Sequence, residues 1–466
     1  MKIQFCGAAR EVTGSAHLIT LDDGYTILLD CGLYQGYNKE MKTFNNNWLF
    51  KPEQLDCVVL SHAHIDHSGR LPMLYKDGFR GTIYCTHATR SLCSIMLLDS
   101  AFIQEREAEY FNKRQLKKGK KDELREPLYE RQHANEVMRQ FVSFNYEHWL
   151  QIHPNVRVLF RDAGHILGSA SVTLEIKEKG KTIRFGFTGD VGRPERPILR
   201  DPQPMPEVDY LICESTYGDQ EHEMPPAETD HFLRIIREAV VERKGKLIIP
   251  AFSIGRTQEI VYLLDQLENK GLLPKIPVYV DSPLAVNATT IYGTHPECYD
   301  KELSSYILSD PNPFGFSGLI YNRDVEVSKS LNSDPQPCII ISASGMMNAG
   351  RVKHHLANNI EQSKNTFLLV GYCAPHTPCG KLREGATELR LFGDEKTVRA
   401  RVEIMDSFSA HADRTELLDF LQNQKSLKQL YLVHGPYERQ LKFKDYLGKH
   451  GFDQVSIPEL GDIVNI

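Results

Sequence analysis

Nowhere in this chain of 466 residues is there an apolar run of membrane-spanning length, and tryptophan occurs only twice. A spanning helix needs about 20 predominantly apolar residues, so no membrane partner is expected. The opening Met1-Lys2-Ile3-Gln4-Phe5-Cys6 lacks the apolar segment of a secretory signal. Positive charge is not in excess either. The 55 Lys and Arg stand against 61 Asp and Glu, for a net charge of −6, which argues against a general nucleic-acid binder. A locally positive channel remains compatible with that balance, and bound metal ions add charge that a residue count omits. The 10 cysteines are scattered, several inside apolar segments such as those of Cys57 and Cys213. They read as reduced interior thiols, which favours a reducing compartment and a cytoplasmic location. Cys373 and Cys379 are close neighbours with loop character, but their spacing is not that of a zinc ribbon. There is no internal repeat or low-complexity tract, and the length allows two or three domains.

What the chain does have is concentrated in Ser61-His62-Ala63-His64-Ile65-Asp66-His67, directly after the apolar Cys57-Val58-Val59-Leu60. Residues two apart on an extended backbone point the same way, so His62 and His64 can share one metal ion. Asp66 and His67 follow where the chain turns and can address a second. Imidazole suits zinc, and a neighbouring carboxylate is typical of sites that activate water.

This motif resembles that of the metallo-β-lactamase superfamily, and three further segments fall in the order that the resemblance implies. They are Leu28-Leu29-Asp30-Cys31-Gly32, Asp162-Ala163-Gly164-His165-Ile166-Leu167-Gly168-Ser169 and Phe187-Thr188-Gly189-Asp190. By resemblance, His62, His64 and His165 hold one zinc. Asp66, His67 and a late histidine hold the other, with Asp190 between them and Asp30 orienting a ligand without touching metal. The implied cofactor is two Zn2+ per chain, a pair that activates water for in-line displacement; manganese in the second site is left open.

The branch is indicated further along. Val208-Asp209-Tyr210-Leu211-Ile212-Cys213-Glu214-Ser215-Thr216-Tyr217-Gly218, Ser407-Phe408-Ser409-Ala410-His411-Ala412-Asp413 and Tyr431-Leu432-Val433-His434-Gly435 resemble motifs A, B and C of the β-CASP nucleases. Pro250 to Glu259 and Ser342 to Met346 resemble further segments of that family. The pattern is similar to its RNA-directed branch, which includes the endonuclease subunit of the cleavage and polyadenylation factor and its prokaryotic counterparts. By resemblance, His434 completes the second zinc site. His411 is the general acid, with Glu214 holding its ring and favouring its charged form, and Asp66 is counted with the catalytic groups. Histidine at motif C is the habit of RNA-directed members. The implied activity is hydrolysis of single-stranded RNA by metal-activated water, at the edge between metal core and cap. A DNA nuclease or another metallo-hydrolase on the same core is the alternative, and a non-catalytic scaffold a third reading. Self-association into a homodimer is left open.

The expected fold is α/β, an αβ/βα metallo-β-lactamase sandwich with an inserted α/β β-CASP cap. Residues 1–215 form the first part of the core, 216–395 the cap and 396–466 the return segment. Ser15–Leu21 and Tyr25–Leu29 read as a hairpin, Ala88 to Trp149 as helical except around a basic loop, and Val156 to Phe187 as three strands. Asp413 with Glu416 reads as a capping box, and Pro436 as the opening of a helix. Pro-rich stretches at Pro194 to Pro206 and Pro225-Pro226 read as exposed connections. In the cap, Gly255-Arg256-Thr257 opens a helix whose amides favour an anion. Ser342, Ser344 and Gly345 with Arg351, and then Lys381 and Arg383, are further candidates for RNA phosphates. The loop Cys373 to Gly380 departs from the short small-residue loop of the family near Gly371-Tyr372, and His376 is given no role. The basic cluster Lys113 to Lys121 reads as a solvated loop in preference to a nucleic-acid contact.

Overall fold

In a computed structural model that describes residues 1–36, 41–222, 228–371, 373–374, 376–405 and 410–466, the chain forms two compact units. The first comprises Met1–Glu221 with His411–Ile466, and the second His222–Ala410. Ser407, Phe408 and Ser409 of motif B, Pro225-Pro226 and Tyr372 lie outside the described residues. No helix among the described residues is long and apolar enough to cross a membrane.

The first unit is built on two seven-stranded sheets. One runs in the spatial order Ile463–Asn465, Lys2–Phe5, His17–Thr20, Thr26–Leu29, Cys57–Val59, Thr82–Thr86, Phe141–Phe144. The other runs Val455–Ser456, Gln429–Leu432, Tyr210–Cys213, Lys181–Phe187, Ala170–Glu178, Val156–Asp162, Leu150–His153. Alternation along each strand explains the layering. Ile27 and Leu29, then Cys57 and Val59, point into a core shared with Val158, Phe160, Val172, Leu174, Phe185 and Phe187 of the opposite sheet. Leu28 and Val58 between them are also buried, but on the outer face, as expected for parallel strands covered on both sides. The helices Arg414–Leu421 and Tyr437–Lys449 cover the second sheet through Leu417, Leu421, Phe443 and Leu447. Asp413 caps the first of them, accepting from Thr415 N and Glu416 N, while Glu416 returns a bond to Asp413 N.

The helical reading of Ala88 to Trp149 needs correction at one point. Helices span His87–Lys117 and Arg131–Val137, but Phe141–Phe144 is an edge strand paired parallel with Thr82–Thr86. Aromatic and β-branched residues fit that half-covered pleat better than a helix.

The second unit is a six-stranded parallel sheet in the order Leu319–Tyr321, Val278–Val280, Cys338–Ser342, Lys246–Pro250, Thr366–Val370, Arg401–Met405. The last strand pairs with Thr366–Val370, so the chain is still in this sheet beyond residue 396, where the return segment was expected to begin. The hairpin Glu388–Leu391 and Asp394–Thr397 precedes it. Eight cysteines are free and buried. Cys373 and Cys379 instead form a disulfide, with Cα atoms 5.3 Å apart, because the turn folds back onto the helix Pro378–Arg383 that Thr377 caps. The expectation of thiols throughout does not hold for this pair.

Phe443 is fully buried and fills the space beside Gly218, where an added Cβ would lie 2.6 Å from its own Cβ. Phe443→Ala is expected to lower the unfolding free energy by about 3–5 kcal/mol, measured by chemical denaturation; an unchanged midpoint would show that this layer does not hold the helix.

Candidate metal centre and acid pair

The ligand candidates sit where strands of the first unit end. His62 and His64 lie on the extended segment after Cys57–Val59, and Asp66 and His67 on the short helix Ile65–Ser68 that follows. His165 lies in the loop between Val156–Asp162 and Ala170–Glu178, and Asp190 after Lys181–Phe187. Asp190 is brought in by Gly189, whose φ is +56° and where a Cβ would come within 2.7 Å of Ser61. His434 follows Gln429–Leu432 with φ +52°, and Asp30 has φ +59°. A non-glycine residue rarely holds the left-handed region, and such positions cluster at functional sites.

Two groups of donors result from these residues, and Asp190 forms a third with Glu214 and His411. The first is His62, His64, His165 and Asp190; the second is Asp66, His67 and His434; within each, the donor atoms lie within 4.8 Å of one another. His64 Nδ1 lies 3.2 Å from both His62 Nε2 and His165 Nε2. Asp190 Oδ2 lies 3.4 Å from His62 Nε2, 3.5 Å from His165 Nε2 and 3.3 Å from His67 Nε2, so one oxygen faces both groups. In the second group His67 Nε2 and His434 Nε2 are 3.1 Å apart, and Asp66 Oδ2 is 3.5 Å from His434 Nε2. A tetrahedral ion with metal–nitrogen bonds of about 2.0–2.1 Å has edges of roughly 3.3–3.4 Å. These separations fit such a polyhedron.

The outward-facing atoms fix which nitrogens point inward. Asp30 is fully buried, and its Oδ2 accepts from His67 Nδ1 at 2.6 Å and from Ser61 Oγ at 2.9 Å. Ser61 Oγ in turn accepts from His62 Nδ1 at 3.0 Å. Both imidazoles therefore turn Nε2 towards Asp190, the outer-shell arrangement by which proteins orient metal ligands. His434 is held in the same way: its Nδ1 lies 3.1 Å from Thr216 Oγ1, which donates to Glu214 Oε2 at 2.6 Å. Sequence reasoning assigned no role to Ser15, Ser61 or Thr216. Ser15 Oγ also donates to Asp30 Oδ2, at 3.2 Å. The signal was present only as hydroxyls beside named ligands.

Electrostatics agree with a demand for positive charge. Burial pushes His62 well down, helped by the His67 charge, and pushes His64 down to about 4, so both stand as neutral donors. Burial would raise Asp190, yet His434 and His67 hold it well below the carboxylate range. Burial likewise opposes the charge on His67, but Asp190 and Asp30 hold that imidazole well above its ordinary value. Asp190 Oδ1 is buried with no hydrogen-bond partner. A buried carboxylate oxygen without a donor is costly, and a cation satisfies it. The donor set thus fits one or two metal ions.

Glu214 is almost wholly buried, and its Oε1 accepts from Val191 N at 2.6 Å. With Thr216 on Oε2, both oxygens are engaged before His411 Nδ1 approaches each at 3.3 Å. Burial lowers the His411 imidazole, but the Glu214 charge and hydrogen bond outweigh it and raise it to about 9. The His411 ring lies 4.5 Å from that of His165, so an imidazole whose charged form Glu214 favours borders the donor groups.

The phosphate candidates all lie in the second unit. From Lys246–Pro250 the chain crosses to Val278–Val280 on one side, and from Cys338–Ser342 it crosses to Thr366–Val370 on the other. The loops after these two adjacent strands lie side by side at the C-terminal edge of the sheet, with Ala251 N donating to Ser342 O at 3.1 Å. Arg256 and Thr257 open the helix Arg256–Asn269 there, and Gly345 packs near the Phe252 ring. Ser342 Oγ donates to Asp281 O at 2.9 Å, and Ser344 Oγ to Asn348 Oδ1 at 3.1 Å. Arg256 pairs with Glu259. Lys381 and Arg383 lie on the helix Pro378–Arg383, whose Cys379 N donates to Met346 O at 3.4 Å, next to Gly345. Arg351 Nη1 binds Asp281 Oδ1 at 2.7 Å and Nη2 binds Arg323 O at 2.6 Å, so its guanidinium is committed within the fold.

Strand-end loops that bring two His/Asp groups around a shared buried carboxylate, on a double-sheet sandwich, define a metallo-hydrolase of the metallo-β-lactamase fold. Three family models match the chain: the metallo-beta-lactamase superfamily over residues 9–219, the Beta-Casp domain over 257–382, and a Zn-dependent metallo-hydrolase RNA specificity domain over 395–458. Ribonuclease TTHA0252 of Thermus thermophilus is 34% identical over 466 residues, all of both chains. The RNase J-like protein of Methanocaldococcus jannaschii is 32% identical over 467 residues, covering 100% of this chain and 99% of that one. Transcription termination factor FttA of Methanosarcina mazei is 31% identical over 450 residues, 93% of this chain and 67% of that longer protein. The chain belongs to the β-CASP family of metallo-β-lactamase-fold nucleases, in its RNA-directed branch, a family of metal-dependent RNA hydrolases.

Asp30→Asn should weaken metal binding about 10–100-fold, read by chelator competition; affinity within twofold of wild type would remove Asp30 from the orienting role. Arg351→Ala should lower the unfolding free energy by about 1–3 kcal/mol, read by denaturation. Unchanged stability with weakened RNA binding would reassign Arg351 to substrate.

Proposed function

We propose that this chain is a dizinc ribonuclease that hydrolyses phosphodiester bonds of single-stranded RNA. The observation that carries the mechanism is the His411–Glu214 pair beside the Asp190-centred donor groups. His62, His64 and His165 would hold one zinc, and Asp66, His67 and His434 the other, with Asp190 shared and Asp30 orienting His67. Bound there, the cations supply Lewis acidity and a nucleophile at neutral pH.

The remaining work falls to this chain's own side chains. His411 carries a proton at neutral pH, because the Glu214 carboxylate favours the imidazolium. Glu214 also fixes the ring through Nδ1, which leaves Nε2–H as the donor to the departing ribose oxygen. That oxygen leaves poorly as an alkoxide, so its protonation by a placed acid is worth typically about 10²–10⁴-fold in rate. Asp66 and Asp190 keep the pocket negative and so favour the charged form of His411. In the inserted unit, the start of Arg256–Asn269 and the Ser342 to Gly345 loop would meet the RNA backbone, although Arg256 N, Thr257 N and Ser344 N already donate to backbone carbonyls. Support for RNA comes from the RNA specificity domain matched over residues 395–458 and from relatives named as ribonucleases. Sequence-selective RNA recognition mostly addresses unpaired strands.

Digestion of a labelled single-stranded RNA and its DNA counterpart tests this reading. Wild type should cut RNA, and Asp66→Ala should lose both metal and cleavage. His411→Ala should keep its metal but lose about 10²–10⁴-fold in turnover; normal turnover would end the general-acid assignment. The pH profile gives a second check. A required imidazolium makes activity fall as pH rises through its pKa, at or below about 9 because bound cations oppose the charge. Glu214→Gln removes the stabilising carboxylate and should move that alkaline limb to lower pH.

A further inference from the structure

The helix His87–Lys117 outruns the layer that it covers. Its beginning is seated on the His165 loop: Thr86 Oγ1 and Thr89 Oγ1 donate to Gly168 O at 2.7 and 2.8 Å. Gly168 allows this approach, since a Cβ there would come within 2.5 Å of Thr89 N. The buried side chains of the helix end at Ala101, and Tyr110 is 67% exposed. The segment that follows the helix returns along this projecting half. Asn112 Nδ2 donates to Arg125 O and Asn112 Oδ1 accepts from Arg125 N, at 2.9 and 2.8 Å. The Arg125 guanidinium lies 3.8 Å over the Phe111 ring. The projection is therefore a built arm, with Lys117 to Lys121 at its tip.

Between Lys113 and Lys121 there are six cations and no carboxylate, in a chain of net charge −6. Lys113 pairs with Glu109 and Lys120 with Glu123. Lys117, Lys118 and Lys121 are exposed, and no carboxylate pairs with them among the described residues. A basic last turn complements the helix dipole, which accounts for Lys117 but not for the lysines beyond the helix end. A concentrated positive patch on an otherwise acidic surface attracts polyanions. The Tyr110 ring beside it, with Arg114 above at 6.0 Å, is a surface on which a base can stack. The helix has 31 residues, which at ~1.5 Å each places the tip about 46 Å from the His165 loop. A stacked strand rising ~3.4 Å per nucleotide covers that in roughly 14 nucleotides.

We propose that this arm is an auxiliary binding surface for the phosphate backbone of the RNA substrate, engaging the strand roughly 14 stacked nucleotides from the cut. The inference rests on the reading of RNA as substrate. It predicts that the arm serves long RNAs and is silent on short ones.

The test compares wild type with K117E/K118E/K121E on RNAs of about 8 and about 40 nucleotides, across a salt series. The long RNA should lose about tenfold in kcat/KM at low salt, through KM, with the short RNA unchanged. Its dependence on log salt should flatten by about 2, the slope of three phosphate contacts on a single strand. The neutral variant K117Q/K118Q/K121Q should fall between. Equal losses on both lengths, or none on either, would overturn the proposal. Anisotropy of the long RNA needs no turnover and separates the two readings. Weaker binding by the variant supports the arm even if nothing is cut, whereas equal binding overturns it and leaves the tip to an acidic protein partner.

Discussion

A buried negative charge left short of donors organises the first unit. Asp190 has its two oxygens inside a ring of imidazoles, one of them without a hydrogen bond. Water cannot reach it, and protonation is opposed by the neighbouring histidines. Within the chain that charge is met by the His67 imidazolium, 3.3 Å away, and a bound cation would take over the same role. The surrounding architecture serves this arrangement: two sheets end at the same edge, Asp30 and Thr216 aim the imidazoles, and left-handed backbone at Asp30, Gly189 and His434 turns the loops inward.

The second unit offers an instructive contrast. Asp281 is as deeply buried as Asp190, but it is saturated. Its Oδ1 accepts from Asn322 and Arg351, and its Oδ2 from Ser328 and His355, all between 2.5 and 2.7 Å. Nothing is left over for a ligand, so the network serves to tie strand ends and helices together. The same side chain at the same depth is a saturated structural clamp in one unit and a carboxylate with an unbonded oxygen in the other. Counting donors, rather than burial, separates the two.

The parts legible in the sequence were those with short-range signatures. The His62 to His67 run is dense and follows an apolar strand, so its pairing of His62 with His64 could be read from a period of two. The cap of Arg414–Leu421 was readable from Asp413 and Glu416, and the three strands of Val156 to Phe187 from alternation. What was not legible depended on distant partners. Ser61 and Thr216 are ordinary hydroxyls until Asp30 and His434 arrive from 31 and 218 positions away. Arg351 reads as a phosphate ligand until Asp281, 70 residues earlier, is seen to hold it. Phe141–Phe144 follows a long helical pattern and is a strand only because Thr82–Thr86 offers an edge.

The second donor group draws on both ends of a long detour. Asp66 and His67 are made early, whereas His434 enters only after the whole inserted unit has been traversed. Domains tend to fold from the N-terminus as they are synthesised. A growing chain thus carries His62, His64, His165 and Asp190 well before His411 and His434 are made. The second donor group is therefore complete only once synthesis has passed residue 434.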